Sequence, residues 1–205
     1  MGRKIKDTAS KNPILTPGQS HLSPVAMGVA VKTKIERGDP YSAPEIYDLE
    51  ITLIEIVRGK EALDRVKAQD VLNEPPKRGF EYVFARVQFG YSRRGRGLGD
   101  VTYRLTEGQF AAVSSDGKME YKIPSVFHQP QPQLIDSVFS AGESREGWIL
   151  LQVPKDEKKP RLIFKRENAE GIYGIWRSVW FRFIRDYSVF GGLPFIFRSG
   201  FLGMV

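Results

Sequence analysis

The sequence predicts an all-β domain, an antiparallel β-sandwich with one short inserted helix, on three observations. Roughly eight or nine short runs alternate apolar and polar residues with the period of two that half-buried strands require. Clusters of Gly, Pro, Asn and Asp separate these runs, drawn from 20 Gly and 13 Pro. The length of 205 residues suits one domain with tails, and 41% hydrophobic with 12% aromatic residues suits a strand-rich core.

Residues 1–23 are polar and broken by Asn12-Pro13, Thr16-Pro17-Gly18 and Ser23-Pro24, and read as a flexible basic arm. Gly28 to Lys34 alternates, and Gly38-Asp39-Pro40 with Pro44 forms a loop. Tyr47 to Val57 is a strand with Leu49, Ile51, Leu53, Glu55 and Val57 along one side. From Gly59 to Leu72 the period lengthens. Ala62, Leu63 and Val66 make a one-sided helix of about three turns. Asn73-Glu74-Pro75-Pro76 stops it, because Pro75 supplies no amide and Pro76 holds Pro75 extended.

Glu81 to Tyr91 alternates again: Val83, Ala85, Val87 and Phe89 share one side, Tyr82, Phe84, Arg86 and Gln88 the other. Val101 to Thr106, Gln109 to Ser114 and Lys118 to Ile123 are the next strands. Asp116-Gly117 between the last two predicts a type I′ hairpin, whose central positions both want positive φ. Pro124 to Pro132 is irregular. Leu134 to Phe139 and Trp148 to Val153 are strands, Pro154 ends the second, and Trp148 is expected as a core anchor between two sheets. Arg161 to Lys165 and Ile175 to Ile184 complete the domain, which spans residues 24–186. Residues 187–205 form an apolar, Gly-rich C-terminal tail. With Phe195, Phe197 and Phe201, it either folds back on the domain or serves self-association or peripheral membrane contact.

The net charge of +7 is a property of the ends. Arg3, Lys4, Lys6 and Lys11 face only Asp7 in the arm, and Arg177, Arg182, Arg185 and Arg198 face only Asp186 near the C-terminus; the middle is nearly neutral. That distribution argues against a dedicated polyanion-binding face. Zero Cys excludes a disulfide framework, a zinc ribbon, an iron–sulfur site and a thiol nucleophile. No cofactor and no metal are expected. No run of 18 apolar residues predicts a transmembrane helix, and residues 1–23 hold no apolar stretch of signal-peptide length.

Few residues invite chemistry. His21 in the arm and His128 in the Pro-rich loop have no Asp or Glu at ligand spacing, and both read as solvated. Ser114-Ser115-Asp116 lacks a base and reads as the turn before Gly117. Arg93-Arg94-Gly95-Arg96-Gly97 has the fork-shaped donors and close backbone approach that clamp phosphates, but a solvated strand-to-strand loop explains it better. Gly95-Arg96-Gly97-Leu98-Gly99 opens no helix and so is no dinucleotide fingerprint. Tyr173, Trp176, Trp180, Phe181 and Phe183 interleave with Arg177, Arg182 and Arg185. Such a strip can stack bases, or be one buried aromatic and one exposed basic face of a sheet.

The block Asp48 to Gly59, then Glu61-Ala62, Asn73-Glu74-Pro75-Pro76 and Gly79-Phe80-Glu81-Tyr82-Val83, resembles the telokin-like, immunoglobulin-like domains of bacterial envelope and secreted proteins. Gly142-Glu143, Gly147-Trp148, Gln152-Val153-Pro154 and Trp180-Phe181 continue the resemblance in order, over about residues 24–184. The resemblance implies an immunoglobulin-like antiparallel β-sandwich at the cell envelope or outside it, and carries over no catalytic residues. The chain departs from that pattern in lacking a lipoprotein leader and in adding the apolar tail.

The expected function is a non-enzymatic binding or structural module that recognises a protein or peptide partner through end loops or a sheet edge. Its candidate surface joins Arg93, Arg94 and Arg96 to His128, Gln129 and Gln131. The alternative is an intracellular nucleic-acid-associated module using the basic tails and the Arg93–Arg96 loop, for which the near-neutral middle offers little.

Overall fold

Alternation decides which side chains face one another, and the strands follow from it. The computed structural model describes residues 17–37, 45–95, 102–121, 123–126, 128–167 and 173–183. In chain order they form β1 (Val31–Arg37), β2 (Glu45–Arg58), helix α1 (Gly59–Gln69), β3 (Phe80–Arg93), β4 (Tyr103–Arg104), β5 (Phe110–Val113), β6 (Glu120–Tyr121), β7 (Val138–Phe139), β8 (Ser144–Pro154), β9 (Arg161–Glu167) and β10 (Tyr173–Arg182). Two four-stranded sheets result, in the orders β1-β2-β3-β8 and β10-β9-β5-β6, and β4 pairs β7 in a two-stranded piece. All paired strands run antiparallel.

One apolar cluster takes side chains from both large sheets: Leu49, Ile51, Leu53, Val83, Val87 and Phe89 from the first, Phe110, Leu162, Phe164, Val179 and Phe181 from the second. Phe89 stands at its centre, with ring centroids 5.7 Å from Phe164 across the layers, 5.0 Å from Phe139 and 5.6 Å from Tyr103. Phe110 meets Phe164 at 5.0 Å. Tyr103 buries its hydroxyl by accepting from the Gln109 side-chain amide, itself fully buried.

The reverse face of the first sheet carries α1. Eleven residues make a marginal helix in isolation, so packing holds it: Ala62 and Val66 bury against Val57, Tyr82, Phe84 and Leu150. Trp148 belongs here, and not between the sheets where its size alone places it. It packs edge-on to Phe84 at 5.8 Å, half-buried beneath the Arg65 guanidinium at 5.2 Å. Val57 also changes side. The β2–β3 register slips between Leu53 and Glu55, a bulge that inserts one residue. Beyond it the strand's phase inverts, sending Ile56 toward the central cluster and Val57 under the helix.

Three other expectations change. Val101 to Thr106 and Leu134 to Phe139 pair only over the two-residue strands β4 and β7. The Asp116-Gly117 turn has positive φ at Gly117 alone. Asp116 keeps negative φ while its carboxylate accepts from Ser114 Oγ at 2.5 Å and the Lys118 amide at 3.1 Å, a local bond that displaces the type I′ form. Residues 17–23, expected to belong to the arm, are fixed on β10. Trp180 N–H donates to the Gly18 carbonyl at 2.9 Å, and Val25 bridges Phe181 in parallel. Gly18 has φ +83°, and a Cβ there would lie 2.8 Å from Val25 Cγ2, so only glycine fits. The remainder of the arm and the C-terminal tail lie outside the described residues.

Replacing Phe89 with Ala should cost about 3–5 kcal/mol in urea unfolding. Its exposed neighbour Gln88→Ala should stay within about 0.5 kcal/mol. Equal losses at the two positions would contradict the alternation.

Candidate binding surface

The residues singled out for recognition lie on two loops, and long-range pairing decides what each can do. Arg93 ends β3, and the β2–β3 register sets it across from Tyr47, with Ser92 across from Asp48. Glu45 takes the Arg93 guanidinium in an ion pair and accepts from the Tyr47 hydroxyl at 2.5 Å. Arg93 also lies over the Tyr47 ring at 5.9 Å. Arg94 Nε donates to Asp48 Oδ2 at 2.6 Å, which raises the guanidinium's pKa and lowers the carboxyl's. Both arginines are therefore answered by acids of β2. Arg96 lies outside the described residues.

The second loop is clamped to the end of α1. Asn73, 2% exposed, donates through Nδ2 to the Val66 carbonyl at 3.0 Å and to the His128 carbonyl at 3.3 Å. Its Oδ1 accepts from the His128 amide at 3.4 Å. One side chain thus satisfies a helix-end carbonyl and pins the loop that crosses it. Asp70 Oδ1 accepts from the Leu72 amide at 2.8 Å, and its Oδ2 stands 2.7 Å from His128 Nδ1. The Leu72 amide, then His128, holds the Asp70 carboxyl below its usual range. The His128 ring itself is mostly exposed; Gln129 is half-buried and its carbonyl accepts from Gln131 Nε2 at 3.4 Å.

The described parts of these two loops do not meet. Tyr82, whose hydroxyl donates to the Glu74 carbonyl beside the clamp, and Arg93 stand at opposite ends of β3. Eleven residue-to-residue steps of strand separate them, roughly 35 Å. The expected joint surface therefore divides into two unrelated ends.

His128 keeps the solvated ring expected of it, whereas His21 is half-buried. Because residues 17–25 dock on β10, its ring packs edge-on to Trp180 at 5.8 Å and covers Gly117, where a Cβ would come within 2.9 Å. Ser178 and Trp180 on one side of β10, Val179 and Phe181 on the other, are all buried. Over these four residues no basic face is presented. Among the described residues no group of three or more His, Asp or Glu is placed to hold a metal, and no helix is long and apolar enough to cross a membrane.

The sheet edges differ in how they are covered. Residues 18–25 cover the outer edge of β10. Pro132 and Leu134 bond the middle of β8 through the Trp148 amide and carbonyl. β1 is different: among the described residues its backbone pairs only with β2, leaving one side of a seven-residue strand open. Lys32, Lys34 and Glu36 stand exposed along it.

Sequence reasoning missed Glu45, Asp48 and Asp70, because register and loop crossings carry no local signal. Asn73 did leave one, an Asn just past a helix end. Comparison with protein-family models, curated proteins and solved structures finds no match to this chain.

Asn73→Ala should cost about 1–3 kcal/mol and speed hydrogen exchange at the Asp70 and His128 amides; unchanged exchange would show that the clamp is not needed. The lowered carboxyls of Asp48, Asp70 and Glu143, the last held down by the Ser140 amide and Arg145, set a pH dependence. Near pH 4 the native state binds fewer protons than the unfolded chain, so this stability is complete above the ordinary carboxylate range and drains as pH falls through the lowered native values. Thermal unfolding from pH 7 to pH 2 should show the loss setting in below about pH 4, with a shallower slope for Asp70→Asn.

Proposed function

We propose that the chain is a non-enzymatic immunoglobulin-like module of the telokin-like kind, recognising a protein partner at the cell envelope. Strand order supports the fold. Lettering β2, β3, β5, β6, β8, β9 and β10 as A, B, C, C′, E, F and G places A, B and E side by side in one sheet. G, F, C and C′ are then side by side in the other, the division that immunoglobulin-like sandwiches use. A paired strand D is the departure: β7, which would occupy its place, pairs β4 instead. The motifs behind the family resemblance have scaffold roles that fit this reading. Arg58 of the Arg-Gly pair binds Glu81 of the Glu-Tyr pair at 2.5 Å and the Glu157 carbonyl at 2.9 Å, and Asn73 of the Asn-Glu-Pro-Pro run clamps the helix end.

The observation that carries the functional reading is the open edge of β1. Among the described residues β1 is paired by a strand on one side alone; such an edge accepts an added strand from an extended segment of a partner, and the lysines on it oppose pairing with a second copy. A binding module also suits the chemistry present, since the one close histidine–carboxylate pair among the described residues, His128 with Asp70, sits on the surface with its ring mostly in water. The nucleic-acid alternative loses its sharpest element, because Arg93 and Arg94 are already held by Glu45 and Asp48.

Peptides selected for binding from a displayed library, titrated into isotope-labelled protein, should shift backbone amides at 31–37. N-methylation at alternate peptide positions should weaken binding at least about tenfold. Shifts centred elsewhere, or indifference to N-methylation, would refute recognition by strand addition.

A further inference from the structure

On the outer face of the second sheet, where residues 22–24 run past the end of the β9–β10 pair, a cleft of about 390 Å³ opens between Leu22, Pro24, Lys159, Pro160, Arg161, Arg182 and Phe183. Its size lies in the range of small-molecule sites. The register sets Arg161 directly opposite Arg182, whose Nε donates to the Pro24 carbonyl at 3.3 Å, so two like charges share one position of the ladder, an arrangement that costs stability. Arg161 forms no ion pair among the described residues, and its Nε is buried with no hydrogen-bond partner. A buried donor on a cation left unanswered is expensive. Burial, and then the Arg182 charge, pull the Arg161 pKa down, and Glu157 offsets them in part. Glu157 is already engaged, accepting from the Ser115 and Lys159 amides at 3.3 and 3.2 Å and from the Tyr121 hydroxyl at 3.4 Å. The cleft is thus lined by a guanidinium with one unanswered donor, by a lysine and by apolar walls from Leu22, Pro24, Pro160 and Phe183.

We propose that this cleft binds a small organic oxyanion, a carboxylate or phosphate group carried on an apolar body, with the anion on Arg161 and the body against the proline and phenylalanine walls. Carboxylate and phosphate share the bidentate acceptor geometry that a guanidinium fork prefers. The site is independent of the β1 edge and stands whether or not strand addition does.

Calorimetry and amide-shift mapping on the full chain, with inorganic phosphate, phenyl phosphate and benzoate as separate probes, test it. Phenyl phosphate or benzoate should bind at least about tenfold more tightly than inorganic phosphate, with shifts at residues 159–163 and 180–183; which of the two binds more tightly identifies the anion. Arg161→Gln should abolish binding and Arg161→Lys, which keeps charge but loses the fork, should weaken it. Without ligand, the Tm of Arg161→Gln should be unchanged or raised, since the substitution relieves a like-charge pair. Failure of all three probes at millimolar concentration, binding that survives Arg161→Gln, or a lowered Tm for that variant would overturn the proposal.

Discussion

The contact between Phe89 and Phe164 joins the two large sheets, and most of the architecture depends on it. Each ring comes from a strand at the middle of its own sheet, β3 in one and β9 in the other, and each is fully buried. Around them Phe110, Phe139 and Tyr103 close the space from β5, β7 and β4, so that even the short strands are tied to the same point. Aromatic rings bury large areas while fixing few torsions, which is why five of them can set a layer spacing that smaller side chains then fill. With no disulfide possible in a chain without cysteine, this packing is what holds the sheets face to face.

Much of that arrangement was legible from the residues. The alternation of Val83, Ala85, Val87 and Phe89 against Tyr82, Phe84, Arg86 and Gln88 sorts the two faces of β3 as found, and the change of period at Gly59 marks α1. What escaped is non-local. A bulge at the middle of β2 carries no composition signal, yet it moves Val57 to the other face. Trp148 reads as a core anchor because its apolar area is large; only the presence of α1 on that face gives it a second place to bury. The arm reads as polar, and its last residues are, but Gly18, His21 and Val25 find partners on β10 that no local pattern announces.

The candidate surface shows the same division. Two loops rich in Arg, His and Gln were visible as clusters, whereas the acids that answer them, Glu45, Asp48 and Asp70, come from elements brought near by register and by the Asn73 clamp. Arg93, Arg94 and His128, which looked free, have partners within the fold. Features that look ordinary in sequence, a strand of alternating lysines and a pair of arginines ending two strands, are the ones left open toward solvent or set against each other.

The dependence of the fold on one aromatic contact is open to direct measurement. A double-mutant cycle with Phe89→Leu and Phe164→Leu, each variant and their combination unfolded in urea, isolates the coupling between the rings. The account predicts a favourable coupling of about 0.5–1.5 kcal/mol beyond the separate losses. Additivity within about 0.3 kcal/mol would contradict it and leave the two sheets held by burial without this specific pairing.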